Sequence, residues 1–127
     1  SGAQDATNTR MLSQGAVSKS NIAFVYDGDL WIAERDGTSA HRLTSHEGDE
    51  ISPRFSPDGK SIAFSAQYDG NTDIYLMPVS GGSPTRLTYH PGSDDVEGFT
   101  PDGSAVLFSS SRGVFTNRYR KLVTVSV

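Results

Sequence analysis

Short apolar runs bounded by turn residues follow one another along the chain, and the middle of the sequence shows the pattern most completely. Residues 61–66 read SIAFSA and residues 73–79 read DIYLMPV, and both have the apolar content that is typical of strands. Shorter extended runs lie at 53–56 and 84–89. The segments between these runs, SPDGKS, QYDGNT and SGGS, contain the Pro, Asp, Asn and Gly that form tight turns. The pattern predicts a four-stranded antiparallel meander, and no long segment has the 3.6-residue period of a helix.

This four-strand pattern recurs along the chain with a fixed period. The segment RLTSH ends at His46, and RLTYH ends 44 residues later at His90. In the same way, PDG at 57–59 returns at 101–103. Such a period falls in the range of about 40 to 50 residues that is typical of four-stranded propeller blades. We therefore predict an all-β fold of about three β-propeller blades, each a four-stranded antiparallel meander, which together form a partial propeller.

The repeat also divides the chain into segments. We predict that residues 1–11 are disordered or extended and that residues 12–127 form the partial propeller, with blades at about 12–50, 51–95 and 96–127. Because each blade of a propeller is covered by its neighbours, three blades are expected to leave two apolar faces uncovered. Further blades of a longer chain would cover them, or two copies would pair end to end as a six-blade ring with two-fold symmetry.

Composition and charge exclude several classes of protein. The 127-residue chain has a net charge of −4, so a basic nucleic-acid-binding surface is not expected. Arg118, Arg120 and Lys121 form a small basic cluster, which we interpret as a solvated strand end. Cysteine is absent, which excludes disulfides, thiolate nucleophiles and zinc–sulfur sites. No apolar run approaches the roughly 18 residues of a membrane-spanning helix, so no membrane span is expected.

The histidines are the first candidates for catalysis. His46 and His90 occupy the same place in successive repeats, whereas a catalytic triad needs one of each group in a single place. We therefore interpret both as copies of one structural position. His41 lies on a polar approach to a strand and is interpreted as solvated. The sequence contains no G-x-S-x-G nucleophile elbow and no S-x-x-K pair.

One segment resembles the start of a calcium-binding loop. Asp69, Asn71 and Asp73 give D-x-N-x-D, but Ile74 and Ser80 stand where the EF-hand pattern requires Gly and Glu. The segment is better explained as a hairpin turn at Asp69, with Asn71 capping it.

Acidic and aromatic residues complete the candidates. Asp94, Asp95 and Glu97 are interpreted as a solvated loop, with a weak cation or peptide-amine contact as the alternative. Four aromatic residues recur at matching blade positions and are predicted to pack between blades rather than to bind a ligand, namely Trp31, Phe55, Tyr75 and Phe99. We predict no catalytic, cofactor-binding or metal-binding residue and no cofactor.

Longer phrases resemble a known family. RFSPDGKSIAFSA, followed by DIYLMPVSGG and RLTYHPG, resembles the PD40 or WD40-like β-propeller repeat of TolB-type proteins, prolyl-oligopeptidase-type enzymes and tricorn-type proteases. NIAFVYDGDLWIAERDGTSAHRLTSH and FTNRYRKLVTVSV narrow the resemblance to the N-terminal propeller of tricorn-type S41 serine peptidases, over residues 12–127.

The resemblance implies a role for the chain. In that family the catalytic serine and its partners lie in a C-terminal region, so the parent protein is expected to be a serine peptidase and this chain alone to be inert. The propeller is then expected to scaffold or gate peptide access, with peptides and the other domains of the parent as partners. The alternative is a TolB-like propeller that serves as a protein–protein docking platform. The start, AQDATNT, resembles a trimmed N-terminus and favours a periplasmic or other extracytoplasmic location, with the cytoplasm as the alternative.

Overall fold

A computed structural model describes residues 14–44, 48, 50–68, 71–89, 93–110 and 121–127. These residues form an all-β structure and contain no helix. The strands are β1 (Gln14–Val17), β2 (Asn21–Tyr26), β3 (Asp29–Glu34), β4 (His41–Arg42), β5 (Glu50–Phe55), β6 (Ser61–Ala66), β7 (Asp73–Pro78), β8 (Thr85–Arg86), β9 (Asp94–Phe99), β10 (Ala105–Ser110) and β11 (Lys121–Ser126).

The strands form three antiparallel sheets, which confirms the predicted blades of a partial propeller. Strands β1 to β4 form blade 1, β5 to β8 form blade 2, and β9 to β11 form blade 3, each in sequence order. Equivalent strands pair in the same way, since β2 pairs with β3 as β6 pairs with β7. The blade limits at about 12–50, 51–95 and 96–127 stay a prediction.

The first strand of each blade lies at the inner side of the assembly. Strand β5 contacts both β1 and β9, whereas β4 and β8 lie at the far edges of their sheets. The blades therefore fan outward from three adjacent inner strands. Blades 2 and 3 are also joined directly, because the Val96 N–H donates to Ser65 Oγ at 2.9 Å.

Alternation along the second strands divides the core into two layers. Ile62 and Phe64 of β6 are buried against Leu30 of blade 1. The intervening Ala63 is buried on the other face of β6, in a cluster with Phe108 of blade 3. Successive side chains of a strand point to opposite faces, so β6 supplies both interfaces of its blade. The apolar run IAF is thus buried on both sides, as the sequence predicts.

Two sheet faces are not covered by a described blade. The leading face is the side of blade 1 opposite blade 2; Ile22, Phe24, Tyr26 and Trp31 lie on it. The trailing face is the side of blade 3 opposite blade 2; Leu107 and Leu122 lie on it. Tyr26 is 39% exposed and Leu122 is 68% exposed.

The first turn of blades 2 and 3 has the same hydrogen bonds. Ser56 Oγ donates to Asp58 Oδ1 at 2.6 Å, and Thr100 Oγ1 donates to Asp102 Oδ1 at 2.8 Å. Gly59 follows with a φ of 73°, a left-handed conformation that costs glycine little. The predicted SPDG turn is confirmed.

The fourth strands are shorter than predicted. Residues 84–89 were expected to be extended, but only Thr85–Arg86 pairs as strand β8. Beyond it, the Ile74 N–H donates to the Thr88 side chain rather than to a backbone carbonyl, at 3.0 Å. The Thr88 side-chain oxygen thus replaces the backbone carbonyl oxygen that would accept the next hydrogen bond of the β-ladder.

Candidate functional site

Of the three candidate histidines, His41 is the one that lies in the described part of the chain. His41 is exposed in β4, with Nδ1 3.3 Å from the Ser39 carbonyl oxygen, which agrees with a solvated residue. His46 and His90 lie outside the described residues, so their assignment to one structural position stays a prediction.

The segment at 69–73, which resembles the start of a calcium-binding loop, has a structural role at its last residue, Asp73. Asp69 lies outside the described residues, and Asn71 is exposed. Asp73 is only 1% exposed and is paired with Arg86 at 2.6 Å. Its carboxylate therefore binds a guanidinium group. Within the described ranges, no three His, Cys, Asp or Glu side chains lie close enough together to hold a metal ion.

A hydrogen-bonded network fixes the outer edge of blade 2. Arg86 donates to Asp73 Oδ2 at 2.6 Å and to the Thr88 carbonyl oxygen at 3.0 Å. Thr88 Oγ1 accepts the Ile74 N–H at 3.0 Å and donates to Asp73 Oδ1 at 3.3 Å. The guanidinium carbon of Arg86 lies 4.8 Å from the centre of the Tyr89 ring, a cation–π contact. These bonds hold the two-residue strand β8 on β7.

Blade 1 has the same network in a more exposed form. Arg42 donates to Asp29 at 3.3 Å, and Thr44 Oγ1 accepts the Leu30 N–H at 3.0 Å. The side chain of Arg42 is 51% exposed, so water screens its ion pair more strongly. Sequence reasoning did not identify these partners. The sequence does contain a signal for these ion pairs, because each repeated RLT has an Asp 13 residues before its Arg.

The acidic segment is a strand, and the prediction of a solvated loop is wrong. It forms β9, in which Asp94 is 2% exposed. Asp94 Oδ1 accepts a hydrogen bond from Ser110 Oγ at 2.5 Å. Asp95 is half-buried and Glu97 is exposed. The sequence could not reveal the burial of Asp94, because that burial depends on pairing with β10.

A second buried carboxylate lies at the equivalent position of β5. Glu50 pairs with Ala66 as Asp94 pairs with Ser110. It is fully buried and accepts a hydrogen bond from Tyr68 Oη at 2.6 Å. Burial, followed by this hydrogen bond and the charge of Glu50, raises the pKa of Tyr68 well above its usual range. The phenol therefore stays protonated and acts as the donor.

Most of the aromatic residues pack between blades, as predicted. Tyr75 is buried between blades 1 and 2, Phe55 packs on the same cluster, and Phe99 packs between blades 2 and 3. Trp31 instead lies on the leading face and stacks on Phe24, with ring centroids 6.4 Å apart. Among the residues that the structure describes, its buried Nε1–H has no hydrogen-bond acceptor.

Two clefts repeat at the ends of the blades. A cleft of about 480 Å³ separates the β1–β2 turn from the first turn of blade 2, and its rim carries Lys19 and Lys60. A cleft of about 290 Å³ separates the first turns of blades 2 and 3 and is lined by Asp58 and Asp102. Asp58 lines both clefts, but the other charged residues are lysines in the first and Asp102 in the second, so the two clefts do not form a repeated binding site.

The neighbouring inner strands β5 and β9 carry charged side chains of both signs. Arg54 of β5 is half-buried and donates to the Pro53 carbonyl oxygen at 2.7 Å. On the neighbouring inner strand β9, Asp95 is half-buried and Glu97 is exposed. These basic and acidic residues of neighbouring inner strands are the candidate binding surface of the chain. No helix in the described part is long and apolar enough to cross a membrane.

The fan of meanders and its two interface layers define the chain as part of a β-propeller. It belongs to the family of the tricorn protease N-terminal beta propeller domain, which it matches over residues 9–127.

Individual proteins of two kinds are similar to the chain. It is 35% identical over 65 residues to the Protein TolB homolog of Chlorobium luteolum, which is 51% of this chain and 15% of that protein. The crystal structure of TolB from Acinetobacter baumannii superposes with a TM-score of 0.76 and 29% identity, covering 89% of this chain and 29% of that one. The crystal structure of the tricorn protease gives a TM-score of 0.70 and 29% identity, covering 80% of this chain and 11% of that one. The chain thus spans a minor part of each.

Proposed function

We propose that the chain is a non-catalytic propeller segment that scaffolds or gates the access of peptides to the catalytic region of a tricorn-like serine peptidase. The observation that carries the proposal is the family match over residues 9–127. Inner strands that present both a guanidinium and carboxylates support it, because such a surface can contact either end of a short peptide.

Peptide binding tests this role directly. A pool of fluorescein-labelled octapeptides of random sequence is titrated with the chain, and anisotropy reports binding. We expect Arg54→Ala and Glu97→Ala to weaken binding by about threefold or more, since polar contacts in a small interface are concentrated in few residues. Glu34→Ala, an exposed change on the outer strand β3, is the matched control. Equal affinity for all four proteins would contradict the proposal.

The peptidase activity itself is assigned to the parent protein. A fluorophosphonate probe labels activated serines, so the parent protein is expected to be labelled and this chain to stay unlabelled. A labelled chain would contradict the non-catalytic assignment, and an unlabelled parent would contradict the peptidase assignment.

The similarity to TolB supports a second function, a docking platform for proteins. It predicts that the octapeptide pool does not bind and that the parent is not labelled by the probe. Both proposals are compatible with a periplasmic or other extracytoplasmic location. We propose that location for the parent, and recovery of the parent in the osmotic-shock fraction of its host tests it.

We also propose that two copies of this chain pair end to end and close a six-blade ring. The leading face supports this arrangement. Its residues Ile22, Phe24 and Trp31 occupy the same repeat positions as three residues of blade 2. Those residues are Ile62, Phe64 and Tyr75, and they are buried against blade 1. A face of this composition fits another blade.

A further inference from the structure

A crevice of about 170 Å³ lies where the outer strands of blades 2 and 3 meet. Leu87, which follows strand β8, lines it from blade 2, and Val123 and Val125 of β11 line it from blade 3. These side chains and the buried Phe108 belong to the apolar cluster between the two blades. An apolar cavity of about 150 Å³ is large enough to bind benzene in water. The crevice therefore has the volume of one aromatic ring.

The interface between blades 1 and 2 shows which side chain stands at an equivalent position. Val123 of β11 pairs with Phe108 of β10. Tyr75 of β7 pairs in the same way with Phe64 of β6, which lies 44 residues before Phe108. Val123 therefore occupies the repeat position of Tyr75.

A second position differs in the same direction. Val125 pairs with Val106 in blade 3, and Met77 pairs with Ile62 in blade 2. Since Ile62 lies 44 residues before Val106, Val125 is the counterpart of Met77. Valine is shorter than tyrosine or methionine, so both replacements leave space on the blade 3 side of the interface.

Blade 2 shows that an aromatic ring fits at the first of these positions. Tyr75 is 7% exposed and stacks on Phe64, with ring centroids 6.0 Å apart. Tyr68 meets the edge of the Tyr75 ring at a centroid distance of 4.8 Å. The space beside the second strand of a blade therefore accepts a planar ring, and in blade 3 a valine stands there instead.

The rim of the crevice carries an aromatic ring that the repeat in blade 1 does not encode. Tyr89 is the one difference between RLTYH and RLTSH, which has Ser45 at this position. Tyr89 is 68% exposed, yet its Oη donates to the Arg86 carbonyl oxygen at 3.1 Å. The guanidinium carbon of Arg86 also lies 4.8 Å from the ring centre. These two contacts hold the ring in place before a ligand arrives, which lowers the entropic cost of binding.

We propose that the crevice binds one uncharged aromatic ring, which takes the place that the Tyr75 ring has in the interface between blades 1 and 2. The bound ring packs on Leu87 and Val123 and meets the Tyr89 ring at the rim. Of the described residues, none that lines the crevice is charged, so an uncharged ring is favoured because burial of an unpaired charge is costly. The ring belongs either to a free small molecule or to a Phe or Tyr side chain of a peptide.

Titration of para-fluorophenol with the chain, followed by fluorine NMR, measures this binding. The phenol is uncharged at neutral pH, because such hydroxyls titrate near about pH 10. Methyl signals of the labelled chain locate the ligand. Those of Leu87, Val123 and Val125 should shift, whereas those of Leu43, which stands at the position of Leu87 in the interface between blades 1 and 2, should not.

Filling the crevice from the protein side should abolish binding. Val123→Tyr gives blade 3 the residue that blade 2 has at this position, so its ring should occupy the space and the fluorine signal should no longer respond. Ser126→Tyr is the matched control, because Ser126 is exposed, lies on the same strand outside the lining and points to the opposite face. This control should bind the phenol as the natural chain does.

A second pair of variants changes an exposed residue and leaves the packed interface intact. Tyr89→Ser copies the residue of RLTSH and should weaken binding by about two- to tenfold, the range that corresponds to one aromatic pair. Tyr89→Phe keeps the ring and should stay within about twofold of the natural chain. If Val123→Tyr does not fold, this pair decides the proposal.

Blocked tripeptides distinguish the two sources of the ring. Acetyl-Gly-Tyr-Gly-amide should shift the methyl signals of Leu87 and Val123 if the crevice accepts a side chain of a peptide. A response to the phenol alone would assign the crevice to free small molecules. Acetyl-Gly-Ala-Gly-amide is the control without a ring.

Three results would overturn the proposal: no shift of the crevice methyl signals at millimolar para-fluorophenol, equal binding by the natural chain and Val123→Tyr, or equal binding by Tyr89→Ser and Tyr89→Phe. The site lies apart from the charged residues of the inner strands, and both tripeptides have blocked, uncharged ends. The octapeptide titration with Arg54→Ala and Glu97→Ala therefore judges the proposed function separately.

Discussion

A threonine hydroxyl takes the place of a backbone acceptor at the outer edge of blades 1 and 2. Thr88 Oγ1 accepts the buried Ile74 N–H, and Thr44 Oγ1 does the same for Leu30. A buried N–H that loses its acceptor costs more than an average hydrogen bond contributes. At the scale of single residues, the threonine hydroxyl of the repeated RLT therefore has a structural role in both blades.

Replacing that hydroxyl by a methyl group should destabilise the chain. Thr88→Val keeps the shape but leaves the Ile74 N–H without its acceptor, so we expect the free energy of unfolding to fall by about 1–3 kcal/mol. Urea unfolding followed by tryptophan fluorescence measures it. Thr85→Val, an exposed change three residues earlier, should stay within about 0.5 kcal/mol, and equal losses in the two variants would contradict the account.

The turn aspartates give the protein a small acid dependence. Hydrogen bonds from Ser56 and then from the Lys60 N–H lower the pKa of Asp58, and bonds from Ser104 and Thr100 lower that of Asp102. A folded-state pKa below the unfolded one adds stability above the unfolded pKa, near 3.9, and the gain disappears as the pH falls through the folded value.

We therefore expect NMR titration to give both carboxyls pKa values below 3.8. The Asp58→Asn/Asp102→Asn variant should lose less stability than the natural chain between pH 5 and about pH 2. Ordinary pKa values for both groups would show that the turn hydrogen bonds do not form in solution.

At the scale of elements, the sequence predicts best the two central strands of blade 2, whose apolar runs are bounded by turn residues. Ser61–Ala66 is found where SIAFSA predicts it, and Asp73–Pro78 ends one residue before the predicted limit. The fourth strand was predicted too long because Thr88 bonds through its side chain. The burial of Asp94 and Glu50 could not be predicted, since it depends on neighbouring strands and on the distant partner Tyr68.

The same repeat position should have different energetic roles in blades 1 and 3. Leu30→Ala should cost about 2–5 kcal/mol of unfolding free energy, because Leu30 is fully buried between blades. Leu122→Ala should change the unfolding free energy of the dilute monomer by less than about 0.5 kcal/mol, and should weaken dimerisation instead. Calorimetry and sedimentation separate the two effects. A large loss of monomer stability in Leu122→Ala would contradict the uncovered trailing face.

The backbone of Gln67 lies so close to Gly48 that a side chain at residue 48 has no space. A Cβ at Gly48 would lie 2.1 Å from the Gln67 carbonyl oxygen, and its φ is 112°. Gly81 has a similar φ of 108° but open space around it. Both alanine variants carry backbone strain, so Gly48→Ala should destabilise the chain by at least about 1 kcal/mol more than Gly81→Ala. Equal thermal unfolding temperatures in the two variants would contradict this packing.

At the scale of the whole molecule, the four-strand pattern and its 44-residue period together predict the propeller, because a repeat that buries both faces needs a neighbour on each side. The described blades have one interface between 1 and 2 and another between 2 and 3. The leading face repeats the composition of the face that blade 2 packs against blade 1. The central claim is that these two faces are themselves blade interfaces, which a second copy covers.

The solution mass of the chain tests this claim most directly. Light scattering behind a sizing column should give a single species of twice the 13.6 kDa chain mass, because in the proposed ring each copy covers both faces of the other. A single species of 13.6 kDa, or a continuous distribution of larger masses, would contradict a closed ring of two copies.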